Sequence, residues 1–214
     1  MRVPDLSSLR VEYETTGIDP ASMAEDPLEE FVVWFQAAAE AGIDQPNSFV
    51  LATSTLDGVP SARAVLLKEI GPEGLSFYTN IRSRKGRELA GNPRAAACFV
   101  WMELHRQVRI EGTVERVADA DADAYFSARP PGSRLSAAAS HQSEVVPSRE
   151  VLEERYRELQ EAYPSGDVPR PREWGGFRIL PRMYEFWQGR PHRFHDRVRY
   201  REEGSAWVRE RLAP

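Results

Sequence analysis

The stretch Phe186–Tyr200, FWQGRPHRFHDRVRY, carries six basic side chains within ten positions: Arg190, His192, Arg193, His195, Arg197 and Arg199. Read as a strand, it sets Arg193, His195 and Arg197 on one face by period-2 alternation, with Asp196 on the other. Such a face suits an anion. Phe186 and Trp187 supply either stacking surface or ordinary core. Zinc held by His192 and His195 is the rival reading. Tetrahedral zinc wants three or four ligands, and flanking arginines would repel it. A ribose phosphate or another anionic ligand fits better, and no metal site is expected.

Two more clusters have the same character. In FYTNIRSRKGREL, Ser83 can cap a helix that begins Arg84-Lys85-Gly86-Arg87. Cations in a first turn oppose the helix dipole. They make sense where an anion sits on the free backbone N–H groups, and a phosphate is the obvious candidate. The alternative is a surface helix with Arg87 and Glu88 solvated. In DAYFSARPPGSRL, a helix would stack Tyr125 and Arg129 at i and i+4, with Ser133 just past Pro130-Pro131. A phenol, a guanidinium and a hydroxyl at a helix end could hold a second phosphate. Against this stands Tyr125 as core and Arg129 as surface.

These basic clusters sit in an acidic chain, with 28 Lys+Arg against 33 Asp+Glu over 214 residues and a net charge of −5. That balance argues against a nucleic-acid binder and for a small anion held in defined places. No apolar run approaches the ~20 residues of a membrane span, and MRVPDLSSLRVEYETTG lacks an apolar signal core. The lone Cys98 cannot form an internal disulfide and reads as a small buried hydrophobe, so a reducing cytoplasm is expected.

Positioning these clusters falls to a chain that reads as mainly β. Residues 1–20 show no period and are expected to be a mobile arm, with 21–214 as a single domain. EDPLEEFVVWFQAAAEAG reads as a helix capped by Asp26, started by Pro27 and ended at Gly42, with Leu28, Phe31, Val32 and Phe35 as its apolar stripe. A hairpin turning at Asp57-Gly58 follows. GLSFYTN, AAACFVWME and RQVRIEGTVERV are further strands, the last with Val108, Ile110, Val114 and Val117 mostly on one face. GGFRIL, YEFWQG, RFHDRVRY and AWVRERL complete the set, and SRKGRELAG, DADADAYFSARP and SREVLEERYRELQEAY are helices. Many short strands without βαβ alternation imply an antiparallel barrel or sandwich with flanking helices. No Gly-x-Gly-x-x-Gly follows a strand, and no Walker loop is present.

Taken in order, RAVLLK, FYTNIRSRKGREL, RQVRIEG, YFSARPPGS, HQS, WGGFRI, EFWQG, HRFHDRVRY and the terminal RLAP resemble the pyridoxine/pyridoxamine 5′-phosphate oxidase family, from about Leu9 to Pro214. The resemblance implies an antiparallel split β-barrel and a homodimer with FMN at the subunit interface. It implies oxidation of pyridoxine 5′-phosphate and pyridoxamine 5′-phosphate to pyridoxal 5′-phosphate by O2, releasing H2O2. Matched position by position, the FMN contacts would be Arg63, Ala64, Val65, Leu66, Leu67, Lys68, Tyr78, Thr79, Arg84, Lys85, Gln107, Gln142, Ser143, Trp187 and Arg197. Lys68, Tyr125, Arg129 and Ser133 would hold the substrate phosphate, and Arg193 and His195 would act catalytically over the pyridine ring. Arg10 and Tyr13, in RVEY, match a segment that can close over substrate.

One stretch departs from the family. LSAAASHQS stands where a Gly-Ala-Trp and a Ser-Lys-Gln-Ser-like run are usual, although Gln142 and Ser143 stay in register. The competing readings are a same-fold flavin oxidase acting on another ring, such as a dihydrophenazine, and a non-catalytic module that binds flavin or pyridoxal phosphate.

Overall fold

In the computed structural model, which describes residues 12–214, the hairpin at Asp57-Gly58 joins β1, Ser48–Ser54, to β2, Pro60–Leu66. Its register runs from Ser48 opposite Leu66 to Ser54 opposite Pro60. The Thr55 hydroxyl accepts from Val59 N–H at 2.9 Å, and Gly58 takes a φ of +87° that favours glycine. The other strands are β3, Glu69–Gly71; β4, Gly74–Asn80; β5, Arg94–Trp101; β6, Arg106–Arg116; β7, Trp174–Gln188; β8, Asp196–Glu203; and β9, Ala206–Leu212. They pair in the order β2-β1-β5-β6-β7-β4-β3, with β8 on β7 and β9 on β8. The helices are α1, Pro27–Glu40; α2, Arg84–Gly91; α3, Asp119–Ala128; α4, Pro131–Ala139; and α5, Arg149–Ala162. Mainly β structure with flanking helices is the class expected. Among the described residues, no helix is long and apolar enough to cross a membrane.

The described residues form two compact units. One takes the described part of Met1–Pro46 with Cys98–Ile110 and Arg182–Pro214, and the other takes Asn47–Ala97 and Glu111–Pro181.

The second unit buries Phe49, Leu51, Leu75, Phe77, Phe177 and Ile179. Phe77 stacks on Phe177 at 5.8 Å, on strands β4 and β7, which pair from Leu75 opposite Ile179 to Asn80 opposite Trp174. A smaller cluster of Phe126, Leu135, Val168 and Trp174 anchors α3 and α4. Of these helices, α4 falls on a stretch to which the sequence assigned no element.

In the first unit, Asp26 caps α1 through Leu28 N–H at 2.9 Å, and Pro27 occupies the first turn. The stripe differs from expectation by one residue. Pro27, Glu30, Phe31, Trp34 and Ala38 are buried, whereas Leu28, Val32 and Phe35 are only half-buried. Adjacent stripes on VVWFQ have nearly equal apolarity, and the indole decides between them. Trp34 packs edge-on against Phe186 at 5.1 Å, with the Arg106 guanidinium 4.4 Å from the centre of its ring. Burying a ring of this size is worth roughly 1.5–3 kcal/mol, more than helix propensity can offer.

Two expectations at the C-terminal end are corrected. GGFRIL and YEFWQG form one 15-residue strand, β7, rather than two. β7 offers 174–179 to β4 and 183–188 to β8, so Pro181 falls in the gap where no N–H is needed. The strand expected from Arg193 begins only at Asp196. Pro191–Arg193 is a 3-10 turn, with His192 at φ +57° and Arg193 at φ +61°. Arg193, His195 and Arg197 therefore do not share a strand face by alternation. Two successive left-handed residues cost of order 1–3 kcal/mol each, a price met by surrounding structure at sites with work to do.

Candidate active site

A cavity of about 990 Å³ opens in the second unit. β2 lines it with Arg63, Ala64, Val65 and Leu66, and Lys68 follows just after the strand. β4 adds Tyr78 and Thr79, the first turn of α2 adds Arg84 and Lys85, and Gln142 and Ser143 come from the loop after α4. Tyr125, Arg129 and Ser133 line it as well. Five cations thus face the cavity, Arg63, Lys68, Arg84, Lys85 and Arg129, and no carboxylate is among its lining residues.

Both sequence motifs act here, one of them by a different route. Ser83 caps α2, its hydroxyl accepting from Gly86 N–H at 3.4 Å. A Cβ on Gly86 would lie 2.1 Å from the Ile81 carbonyl oxygen, so only glycine lets α2 start this close to β4. Lys85 is buried, and its Nζ donates to Thr79 Oγ1 at 3.1 Å, Ser83 Oγ at 3.3 Å and Gln142 Oε1 at 3.0 Å. Burial, and then the charge of Arg63, bring the Lys85 ammonium down to about 8, against the opposing pull of Glu88.

The second motif departs from its expected geometry. α3 ends at Ala128 and Arg129 is extended, so Tyr125 and Arg129 are not one turn apart on a helix. They meet in the cavity all the same. Tyr125 stacks on Tyr78 at 4.1 Å, and the guanidinium of Arg129 lies over Trp174 at 4.9 Å. Arg129 Nη1 is buried and has no hydrogen-bond partner among the described residues. Burial lowers its pKa, with Tyr125 opposing. A buried guanidinium N–H without a partner is costly, and an anion in the cavity would satisfy it.

Leu67 is the one member of its run that does not line the cavity. It is buried, its N–H donates to the Asn47 carbonyl at 2.8 Å, and its carbonyl accepts from Asn47 Nδ2 at 2.9 Å. Sequence reasoning missed Trp174, whose ring lies within 8° of parallel to that of Tyr78. It also missed Glu88, which only the alternative reading of α2 places in solvent and which is 5% exposed. Its spacing of four from Arg84 was the available signal.

The first unit gathers a different set. Tyr13 lies 4.5 Å from His105, 5.6 Å from His195 and edge-on to Trp187 at 6.1 Å, while Trp187 and His195 are 4.7 Å apart. His195 Nδ1 accepts from Arg190 N–H at 3.1 Å, so the proton of the neutral ring sits on Nε2. Burial, and then the charge of Arg193, lower the His195 pKa. Arg197 donates to Glu185 at 2.9 Å and to the Ala213 carbonyl at 2.9 Å. Arg193 is exposed and Gln107 is half-buried on β6. Residues after Tyr13 bond to the same region: Thr15 donates to the Gly189 carbonyl, and Ile18 N–H donates to Asp196 Oδ2 at 3.2 Å. Arg10 lies outside the described residues.

Residues 35–163 match the family described as pyridoxamine 5′-phosphate oxidase, and residues 174–214 match the pyridoxine 5′-phosphate oxidase C-terminal dimerisation region. The chain belongs to the pyridoxine/pyridoxamine 5′-phosphate oxidase family. Two relatives bearing that name are 51% identical (Cyanothece sp., 98% of both chains) and 52% identical (Thermosynechococcus vestitus, 98% of this chain and 99% of the relative). Among solved structures, PhzG from Burkholderia lata, in complex with tetrahydrophenazine-1-carboxylic acid, superposes with a TM-score of 0.89 at 29% identity, over 95% of this chain and 100% of that one. The fold is therefore the split barrel of these oxidases, and the chain is an oxidoreductase of that family. In family terms, Trp187, Arg193, His195 and Arg197 all fall within the dimerisation region.

Proposed function

We propose that this chain is an FMN-dependent oxidase that converts pyridoxine 5′-phosphate and pyridoxamine 5′-phosphate to pyridoxal 5′-phosphate, with O2 as acceptor and H2O2 as by-product. One observation carries the reading: in a chain of net charge −5, five cations and no carboxylate line a single cavity. The partnerless buried Nη1 of Arg129 fits a phosphorylated ligand. Bound FMN supplies the acceptance of a hydride equivalent and its delivery to dioxygen.

The chain supplies binding, orientation and charge. Arg63, Arg84, Lys85 and the Thr79–Gln142 pair would hold the flavin phosphate and flank the flavin. Lys68, Tyr125, Arg129 and Ser133 would grip the substrate phosphate, using remote binding energy to position the reacting carbon. Arg193 and His195 would orient the pyridine ring, His195 donating a hydrogen bond from Nε2–H that assists proton movement at the oxidised carbon. Arg197, held by Glu185, would place positive charge where reduced flavin is anionic. The match of 174–214 supports a homodimer, and in this reading FMN would lie at its subunit interface.

The likeness to PhzG favours a second reading, oxidation of a dihydrophenazine. Tyr125, Arg129 and Ser133 in the cavity favour the phosphorylated substrate instead. An absorbance spectrum before and after anaerobic pyridoxamine 5′-phosphate tests both. A yellow protein bleached by that substrate, and not by a dihydrophenazine carboxylate, is expected. A colourless protein that ignores added FMN would refute the flavin reading.

A further inference from the structure

Glu88 stands behind the cavity rather than in it, yet both of its oxygens are committed to residues that line it. Oε1 accepts from Arg84 Nε at 2.8 Å. Oε2 accepts from Ser61 Oγ at 2.6 Å, from Thr53 Oγ1 at 2.5 Å and from Arg63 Nη2 at 3.4 Å. The donors come from β1, β2 and α2, so one carboxylate ties three elements. Arg63 is also held by Thr53 Oγ1 at 2.5 Å and by Ser61 Oγ.

A buried carboxylate is costly unless its lone pairs are satisfied. Here they are, and the satisfied charge fixes two guanidiniums that leave different elements. Burial pushes the Glu88 carboxyl upward, but the bonds from Ser61, Thr53 and Arg84 and the charge of Arg63 outweigh it and bring the group down to about 2. It stays ionised wherever the protein is folded at ordinary pH.

We propose that Glu88 is a positioning residue, whose two oxygens aim Arg63 and Arg84 from separate elements at one anionic group in the cavity. The proposal rests on the reading that this group is the phosphate of FMN. Two effects of Glu88 on an anion oppose each other. Its charge offsets the cations and weakens attraction, while its hydrogen bonds direct them. The offset is small, because Glu88 is already paired twice and the side chain of Arg84 is 56% exposed and screened by solvent. Direction dominates, since a misaimed guanidinium forfeits charge-assisted hydrogen bonds outright.

The test compares FMN with riboflavin, which lacks the phosphate, by titrating the flavin-stripped full-length chain and following flavin fluorescence. Wild type should prefer FMN. In Glu88→Gln the amide NH2 meets guanidinium donors, and FMN affinity should fall by about tenfold or more, the size of one charge-assisted hydrogen bond. Riboflavin affinity should stay nearly unchanged. Equal loss of both flavins would make Glu88 merely structural, and tighter FMN binding would make it merely a counter-charge; either overturns the proposal. If Glu88→Gln does not fold, Glu88→Asp decides. It keeps the charge but withdraws the carboxylate by one methylene, so a reduced FMN preference supports the proposal and an unchanged one overturns it. A wild-type chain with no preference for FMN overturns the phosphate reading and the proposal together, an outcome distinct from a defect confined to the variants.

Discussion

Arg129 lies with its guanidinium 4.9 Å from the centre of the Trp174 ring, while its Nη1 is buried without a partner among the described residues. The indole face holds the cation in place, and an anion in the cavity would complete its hydrogen bonding. A cation so placed is arranged for an anion that comes and goes.

Arg129→Ala should therefore damage substrate recognition more than folding. Loss of one charge-assisted contact corresponds to about a 10- to 100-fold fall in kcat/KM for pyridoxamine 5′-phosphate, mainly through KM. Steady-state kinetics check this. An unchanged KM would remove Arg129 from the phosphate site.

Lys85 gives the cavity a pH dependence of known sign. Its ammonium, lowered to about 8, loses its proton as pH rises through that value, so FMN affinity should decline above pH 8. Stability of the flavin-free protein moves the other way. Between about 8 and the ordinary 10.5, the unfolded chain binds the proton and the folded chain does not, so this group's contribution rises with pH. FMN titration and thermal melts across pH 7–10 should show opposite trends, and Lys85→Met should abolish both. Parallel trends would mean another group controls the limb.

Gly86→Ala should shift the start of α2, because the added Cβ meets the backbone oxygen of Ile81 at 2.1 Å rather than a yielding side chain. Overpacking of this kind costs roughly 1–3 kcal/mol, or about 2–12 °C in Tm for a chain this size. Weaker flavin retention should accompany the loss, since Arg84 and Lys85 flank the site. Calorimetry and the flavin-to-protein absorbance ratio measure the two effects.

At Arg193 and His195, chemistry and flavin binding should separate. Arg193→Ala should cut kcat by about a hundredfold or more while the flavin content stays near wild type. Burial is the larger cause that lowers the His195 pKa, and the same variant removes the second, the charge of Arg193. Protonation of His195 becomes easier, so the acid limb of kcat/KM should move to higher pH. A limb that stays put would show that His195 does not carry it.

Much of this was legible from residue type and spacing. Asp57-Gly58 turns a hairpin because only glycine takes φ +87° there at no cost. Asp26 and Ser83 cap helices because a short side-chain acceptor reaches N–H groups two and three residues on. Such preferences are local, and they hold wherever the segment ends up. The family motifs likewise named Arg63, Lys68, Arg84, Lys85, Tyr125, Arg129 and Ser133 before any cavity was seen, and all seven line it.

Tertiary structure decided what depends on partners distant in the chain. Trp34 chose the buried stripe of α1 by packing on Phe186, a residue no periodicity could supply. Arg129 reached Tyr125 across a helix end rather than along a helix, and Pro181 passed inside a strand because its neighbours change partners there. The turn at His192 and Arg193 is left-handed against the preference of both residues, held in part by the bond from His192 N–H to Glu12 Oε2 at 3.1 Å. Glu88 shows the division most clearly. Its spacing from Arg84 is written on α2, but its burial exists only because β1 and β2 bring Thr53, Ser61 and Arg63 to the same carboxylate. Burial and long-range hydrogen bonding are properties of the assembled chain, and local sequence preference carries no information about them.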